Sequence, residues 1–201
     1  MCKCDSDFSP FCALFPLFPL KGTGRFAIIR KSINLDLHIT LYVKEENVMD
    51  EFKMQNGALI LEGGSLRSLF TSGVLDVFME HNLYFSDVTG VSAGSLTGVN
   101  YVSRQPGRSA KLNIDYVNDK RYLGVNNLIL HHEIFNFDFL FNDLSRSILP
   151  MDFDTFYKSP QHFTAVATNL RTGEAEYFEK NSCSDILAAI RASSSMPMLS
   201  K

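Results

Sequence analysis

The pentapeptide Gly90-Val91-Ser92-Ala93-Gly94 constrains this chain more than any other feature. It matches G-x-S-x-G, in which a serine sits on a sharp turn between a strand and a helix. The turn strains the backbone and projects the hydroxyl from the end of the sheet. Glycines two residues before and after leave room for the strand and the helix to approach closely. The flanks agree with this. Val88-Thr89 reads as strand, and Ala93 to Ser103 is a small, apolar run that suits a helix packed on a sheet. The helix N-terminus adds N–H groups and a positive field beside developing negative charge. Ser92 is therefore the candidate nucleophile, with Gly90 and Gly94 as its supports.

A serine nucleophile needs donors for the oxyanion of a tetrahedral intermediate. Gly63-Gly64-Ser65-Leu66-Arg67 offers them, because adjacent glycines let backbone N–H groups turn inward. Ala58 to Leu61 is a short apolar run before it, as expected of a buried parallel strand. A dinucleotide phosphate loop is disfavoured. Gly63-Gly64 followed by Gly73 does not reproduce G-x-G-x-x-G, and no Gly-Lys-Ser/Thr follows. Gly63, Gly64 and Ser65 are the candidate oxyanion donors. Arg67 orients that loop, meets an anionic headgroup, or forms a structural ion pair.

The remaining pattern fits the same architecture. Ser72 to Asn82 has helical spacing, and Phe163 to Thr168 is a core strand. Arg171-Thr172-Gly173 is a turn before a partner strand at Glu174 to Phe178. Ser184 to Ser193 reads as a helix capped by Ser184. Phe135, Phe137, Phe139 and Phe141 alternate, which suggests a strand, although Asp138, Asn142 and Asp143 weaken that reading. A short helix or a lid-like excursion stays open there. The order predicts an α/β fold with a mainly parallel sheet and flanking helices.

The N-terminal quarter differs. Phe8 to Leu20 is apolar but short, and Pro10, Pro16 and Pro19 break it, so it is too short to span a bilayer. Asp5 and Asp7 and the prolines also make it a poor signal peptide. Asp36 to Val43 alternates like one strand, and Lys44 to Lys53 is a charged connector. Residues 1–53 are expected to be an N-terminal appendage, disordered or misassigned upstream sequence, with the folded domain at 54–201. Cys2, Cys4, Cys12 and Cys183 form no zinc pattern, so neither metal nor disulfide is expected. That favours a reducing, cytoplasmic setting, with membrane-surface contact through residues 8–20 left open. A net charge of -3 supplies no basic surplus for nucleic acid.

Three blocks in order carry a resemblance: Glu62-Gly63-Gly64-Ser65-Leu66-Arg67, Gly90-Val91-Ser92-Ala93-Gly94-Ser95, and Arg191-Ala192-Ser193-Ser194-Ser195-Met196-Pro197. Together they look like the motif set of patatin-like phospholipases. Asp138-Phe139-Leu140-Phe141, Asp152 to Phe156 and Ala167-Thr168-Asn169 resemble the bacterial branch. The resemblance runs from about Ala58 to Lys201. It departs from the usual Asp-Gly-Gly-Gly at Glu62, which keeps the charge, and at Ser65, which keeps its N–H.

The resemblance implies lipid acyl hydrolysis by a Ser–Asp dyad with no cofactor. The family's catalytic Asp lies in an Asp-Gly-Gly or Asp-Gly-Ala motif after the Ala-Ser-x-x-x-Pro block. No Asp-Gly occurs in these residues, so the expectation is that the chain stops before its base. Asp115, Asp138, Asp143, Asp152, Asp154 and Asp185 read instead as surface charges or caps. An α/β-hydrolase order such as Ser92, Asp138 or Asp152, His162 is formally available, and His131 and His132 are further candidates. The functional expectation is a serine esterase acting on glycerolipid esters. An inactive fragment or lipid-binding pseudoenzyme, or an acyltransferase, are the alternatives.

Overall fold

The computed structural model describes residues 25–31, 37–40, 53–124 and 133–196. Its centre is a sheet of order β2-β1-β3-β4-β5-β6. The strands are β1 (Arg25–Lys31), β2 (Leu37–Thr40), β3 (Lys53–Leu61), β4 (Leu83–Val91), β5 (His162–Thr168) and β6 (Ala175–Glu179). β1, β3, β4 and β5 run parallel, while β2 and β6 are antiparallel edges. The α/β expectation holds. The expected strand at Asp36 to Val43 contains β2, and Arg25–Lys31 adds a strand beside β3. Residues 1–24, the 8–20 run and Cys2, Cys4 and Cys12 lie outside the described residues, as does most of the Lys44 to Lys53 connector.

The helices are α1 (Ser68–Glu80), α2 (Ala93–Val102), α3 (Arg108–Asp115), α4 (Phe139–Ile148), α5 (Phe153–Lys158) and α6 (Ile186–Ser194). Leu59, Leu61, Val88, Phe163 and Ala165 give the sheet's buried surface, against Leu75 and Phe78 of α1, Val99 of α2 and Ile186 and Ile190 of α6. No helix among the described residues is long and apolar enough to cross a membrane.

The structure corrects several local expectations. β3 and β4 are longer than their apolar cores predicted. Ser86 and Asp87 lie inside β4, where Ser86 Oγ accepts the Gly57 N–H at 3.1 Å and donates to the Gly57 carbonyl at 3.0 Å. That pairing spans the irregularity between Gln55 and Ala58. The alternating phenylalanines do not form a strand. Asn136 Oδ1 accepts the Phe139 N–H at 2.9 Å and opens α4, which winds in the wide π form. Phe139, Leu140 and Phe141 are all buried while Asn142 and Asp143 face water. α6 is capped by Asp185, whose carboxylate accepts the Ala188 N–H at 3.0 Å, and not by Ser184.

Buried polar anchors hold the layers that carry the elbow. The Tyr101 hydroxyl, at the far end of α2, accepts the Phe85 N–H at 3.0 Å and donates to the Leu83 carbonyl at 2.7 Å. Burial raises the phenol's pKa. Arg108 donates to Asn100 Oδ1 at 2.6 Å and to the Leu149 carbonyl at 2.8 Å, and burial lowers its pKa to about 10. The Lys180 ammonium, on a residue 2% exposed, donates to the carbonyls of Phe156, Ser159 and Gln161. Tyr101→Phe strands the Phe85 N–H and the Leu83 carbonyl in a dry site. We expect it to cost about 2 kcal/mol and about 4–8 °C in Tm, read by thermal denaturation. An unchanged midpoint would show that the strand start is held by other contacts.

Candidate active site

β4 delivers Ser92 to the carboxyl end of the parallel sheet, and α2 leaves from it. Ser92 has φ 54 and ψ -125, a conformation that costs a non-glycine residue about 1–3 kcal/mol. Its carbonyl already serves the helix. It accepts the Ser95 N–H at 2.9 Å, the Leu96 N–H at 3.3 Å and the Ser95 hydroxyl at 2.6 Å. Its side chain stays partly exposed at the helix N-terminus, inside the positive end of the α2 dipole.

The two supporting glycines act on different neighbours. A Cβ on Gly90 would lie 2.5 Å from Ser95 Cα, so Gly90 lets the strand and its own helix close. A Cβ on Gly94 would collide with the carbonyl of Leu61 and lie 2.9 Å from the Glu62 carbonyl oxygen. Gly94 therefore seats α2 on the end of β3, where the glycine loop begins. The sequence pattern predicted close strand–helix approach at both positions, but at Gly94 the strand is the neighbouring one.

The same contact brings Gly63 to Ser92. A Cβ on Gly63 would lie 3.0 Å from Ser92 Cβ and 3.7 Å from Ser92 Oγ. Gly64 and Ser65 follow, and Ser65 adopts a positive φ of 51. Ser65–Arg67 forms one 3-10 turn into α1, closed by the Arg67 N–H on the Gly64 carbonyl at 3.1 Å. Arg67 folds back over Gly64, since a Cβ there would lie 3.7 Å from Arg67 Nε. Gly63, Gly64, Ser65, Arg67, Gly90, Ser92 and Gly94 are thus neighbours at one end of the sheet.

The alternative bases are placed elsewhere. His162 opens β5 and pairs with Asp87, midway along β4. From Asp87 to Ser92 the strand advances about 16 Å, too far for a hydrogen bond. Asp152 caps α5, and its N–H donates to Gln105 Oε1 beyond the far end of α2, about 15 Å along the helix from Ser92. Asp138 pairs with Arg191 at 2.5 Å, Asp154 with Lys158 at 2.8 Å, and Asp185 caps α6. Asp115 ends α3 and Asp143 is exposed on α4. Asp138, Asp154 and Lys158 are largely exposed, so these pairs add little stability. His131 and His132 lie outside the described residues, as does the block's end at Pro197. Of the candidate aspartates, Asp138, Asp152, Asp154 and Asp185 all engage partners other than Ser92.

One residue at this end escaped sequence reasoning as a site residue. Ser193, in the last turn of α6, accepts the Ser92 N–H on its Oγ at 2.8 Å. The two are distant in sequence, and only the third motif block hinted that Ser193 belonged here.

The sequence model of the family described as patatin-like phospholipase matches residues 59–201. A relative from Escherichia coli (strain K12), "Uncharacterized protein YjjU", is 29% identical over 144 residues, which cover 70% of this chain and 40% of the relative. The chain thus spans about two fifths of that relative's length.

Proposed function

This chain belongs to the patatin-like phospholipase family, and on that premise we propose that it hydrolyses carboxylic esters of glycerolipids through an acyl-Ser92 intermediate. The observation that carries the reading is the strained Ser92 turn between β4 and α2, with Gly63 packed against its side chain. Strain of this kind persists only where the surrounding structure enforces it, and it concentrates at catalytic positions.

In this scheme Ser92 Oγ attacks the ester carbonyl carbon. Its proton passes to a base, and negative charge collects on the carbonyl oxygen. The N–H groups of Gly63, Gly64 and Ser65 receive that charge, aided by the N-terminus of α2. The alcohol leaves with the proton, and water then hydrolyses the acyl-enzyme. None of these steps requires a metal. The resemblance assigns the role of base to an aspartate. Asp138, Asp154 and Asp185 are engaged in ion pairs or a cap, and Asp152 and His162 are remote from Ser92, which supports leaving that role to none of these five. Arg67, folded over Gly64, orients the loop. A peripheral contact with a lipid surface accompanies the reading.

A fluorophosphonate probe tests the proposal, because it reacts only with an activated serine. Covalent labelling that maps to the Ser92 peptide by mass spectrometry is the expected result. The competing reading is lipid binding without turnover. It predicts no labelling, and that outcome would overturn the esterase reading. Transfer of the acyl group to an alcohol in place of water would appear as an ester product.

A further inference from the structure

The Ser92 N–H has left both ladders that flank it. β4 ends at Val91, and the first bonds of α2 are made by the N–H groups of Ser95 and Leu96. At φ 54 and ψ -125 the Ser92 N–H turns away from the strand and toward α6. Ser193 Oγ meets it at 2.8 Å, and the same hydroxyl donates its proton to the Val166 carbonyl at 2.5 Å. Val166 is the register partner of Val91 on β5. One hydroxyl therefore joins the end of β4, the end of β5 and the last turn of α6. With its proton committed to Val166, Ser193 presents a lone pair to Ser92 and is no second nucleophile.

We propose that Ser193 is the positioning residue of the nucleophile: its hydroxyl fixes the peptide plane between Val91 and Ser92 and so sets the aim of Ser92 Oγ. This rests on the reading of Ser92 as the nucleophile. The strained turn gives the role its force. A peptide held away from its preferred conformation rotates toward it when a restraint is lost, and an error of about 1 Å at a nucleophile costs on the order of a hundredfold in rate. Loss of the hydroxyl also leaves a part-buried N–H without an acceptor.

The test compares wild type, Ser193→Ala and Ser193→Thr, all verified as folded by circular dichroism. The first readout is exchange of the Ser92 amide hydrogen followed by NMR. It is expected to be about tenfold faster or more in Ser193→Ala and close to wild type in Ser193→Thr, which keeps the hydroxyl. The second is fluorophosphonate labelling, with kcat and KM on p-nitrophenyl butyrate. For Ser193→Ala a fall of about ten- to a hundredfold in labelling rate and kcat is expected with KM nearly unchanged, and Ser193→Thr restores most of it. A merely structural serine would lower Tm and leave the labelling rate of the folded protein alone. Exchange unchanged in Ser193→Ala, or Thr as slow as Ala in a folded protein, overturns the proposal. Wild type that does not label overturns the esterase reading instead, and amide exchange then decides the bridge by itself.

Discussion

Ser92→Gly is expected to abolish ester hydrolysis while making the protein more stable. The loss of activity follows from the missing nucleophile and is on the order of 10⁴-fold or more, to the level that binding and oxyanion stabilisation alone sustain. The gain in stability follows from the backbone. Ser92 holds φ 54 and ψ -125, at a cost of about 1–3 kcal/mol to a residue with a Cβ. Glycine adopts that conformation freely but gives back about 0.5–1 kcal/mol of unfolded-chain entropy. The net is a stabilisation of about 1 kcal/mol, or about 2–4 °C in Tm for a domain of this size. Ser92→Ala keeps the Cβ and the strain, so it should lose activity equally with Tm nearly unchanged. The backbone bonds of the turn, from Ser92 N–H to Ser193 and from Ser95 and Leu96 to the Ser92 carbonyl, survive in both variants. Thermal denaturation and p-nitrophenyl ester assays of the pair decide the matter. Retained turnover in either variant removes Ser92 from the mechanism. A lower Tm in Ser92→Gly than in Ser92→Ala shows that the turn is not under strain.

The turn at Ser92 between strand and helix was legible because its requirements are local. A serine, two glycines and the change from strand to helix all fall within a few residues of Ser92. β5, the turn at Gly173 and β6 were legible for the same reason, since a core strand, a glycine at φ 74 and a partner strand are neighbours in sequence. Other features needed partners the sequence does not show side by side. Ser86 looks too polar for a strand until Gly57 supplies both a donor and an acceptor for its hydroxyl. The phenylalanines from 135 to 141 satisfy a strand period, but Asn136 caps a helix first, and a π winding buries three consecutive residues. Ser184 and Asp185 are both good caps, and it is the Asp185 carboxylate that accepts the Ala188 N–H. Ser193 is the clearest case. Its sequence neighbours give no reason for a hydroxyl, because the group that requires it lies across the sheet on β4.

Gly94 shows how a motif glycine can serve a neighbour that the motif does not contain, and its replacement carries the largest expected loss of stability. In Gly94→Ala the new methyl group meets the carbonyl of Leu61 and the Glu62 carbonyl oxygen, both backbone atoms at the end of β3. Backbone in the centre of a parallel sheet does not yield as a flexible side chain would. Relief requires α2 to lift from the sheet, and Gly98 adds to the difficulty: a Cβ there would already lie 3.0 Å from Leu61 Cδ1 and 3.1 Å from Phe163 Cε2, so the helix is seated closely one turn further on. Overpacking of this kind costs about 3 kcal/mol or more, against a total stability of about 5–15 kcal/mol, and corresponds to a fall in Tm on the order of 10 °C. Lifting α2 also separates Ser92 from Gly63, so labelling by the fluorophosphonate should fall even in the fraction that stays folded. Gly73→Ala is the matched control. Gly73 lies exposed within α1 with nothing within 4 Å of its added Cβ, so alanine there should stabilise by about 0.5–1 kcal/mol. Opposite signs for the same chemical change, read by thermal denaturation, would place the cost of Gly94→Ala in the contact between α2 and β3 and not in helix propensity. Equal effects of the two substitutions would show that α2 does not rest on the end of β3, and the proposed approach of Gly63 to Ser92 would fall with it.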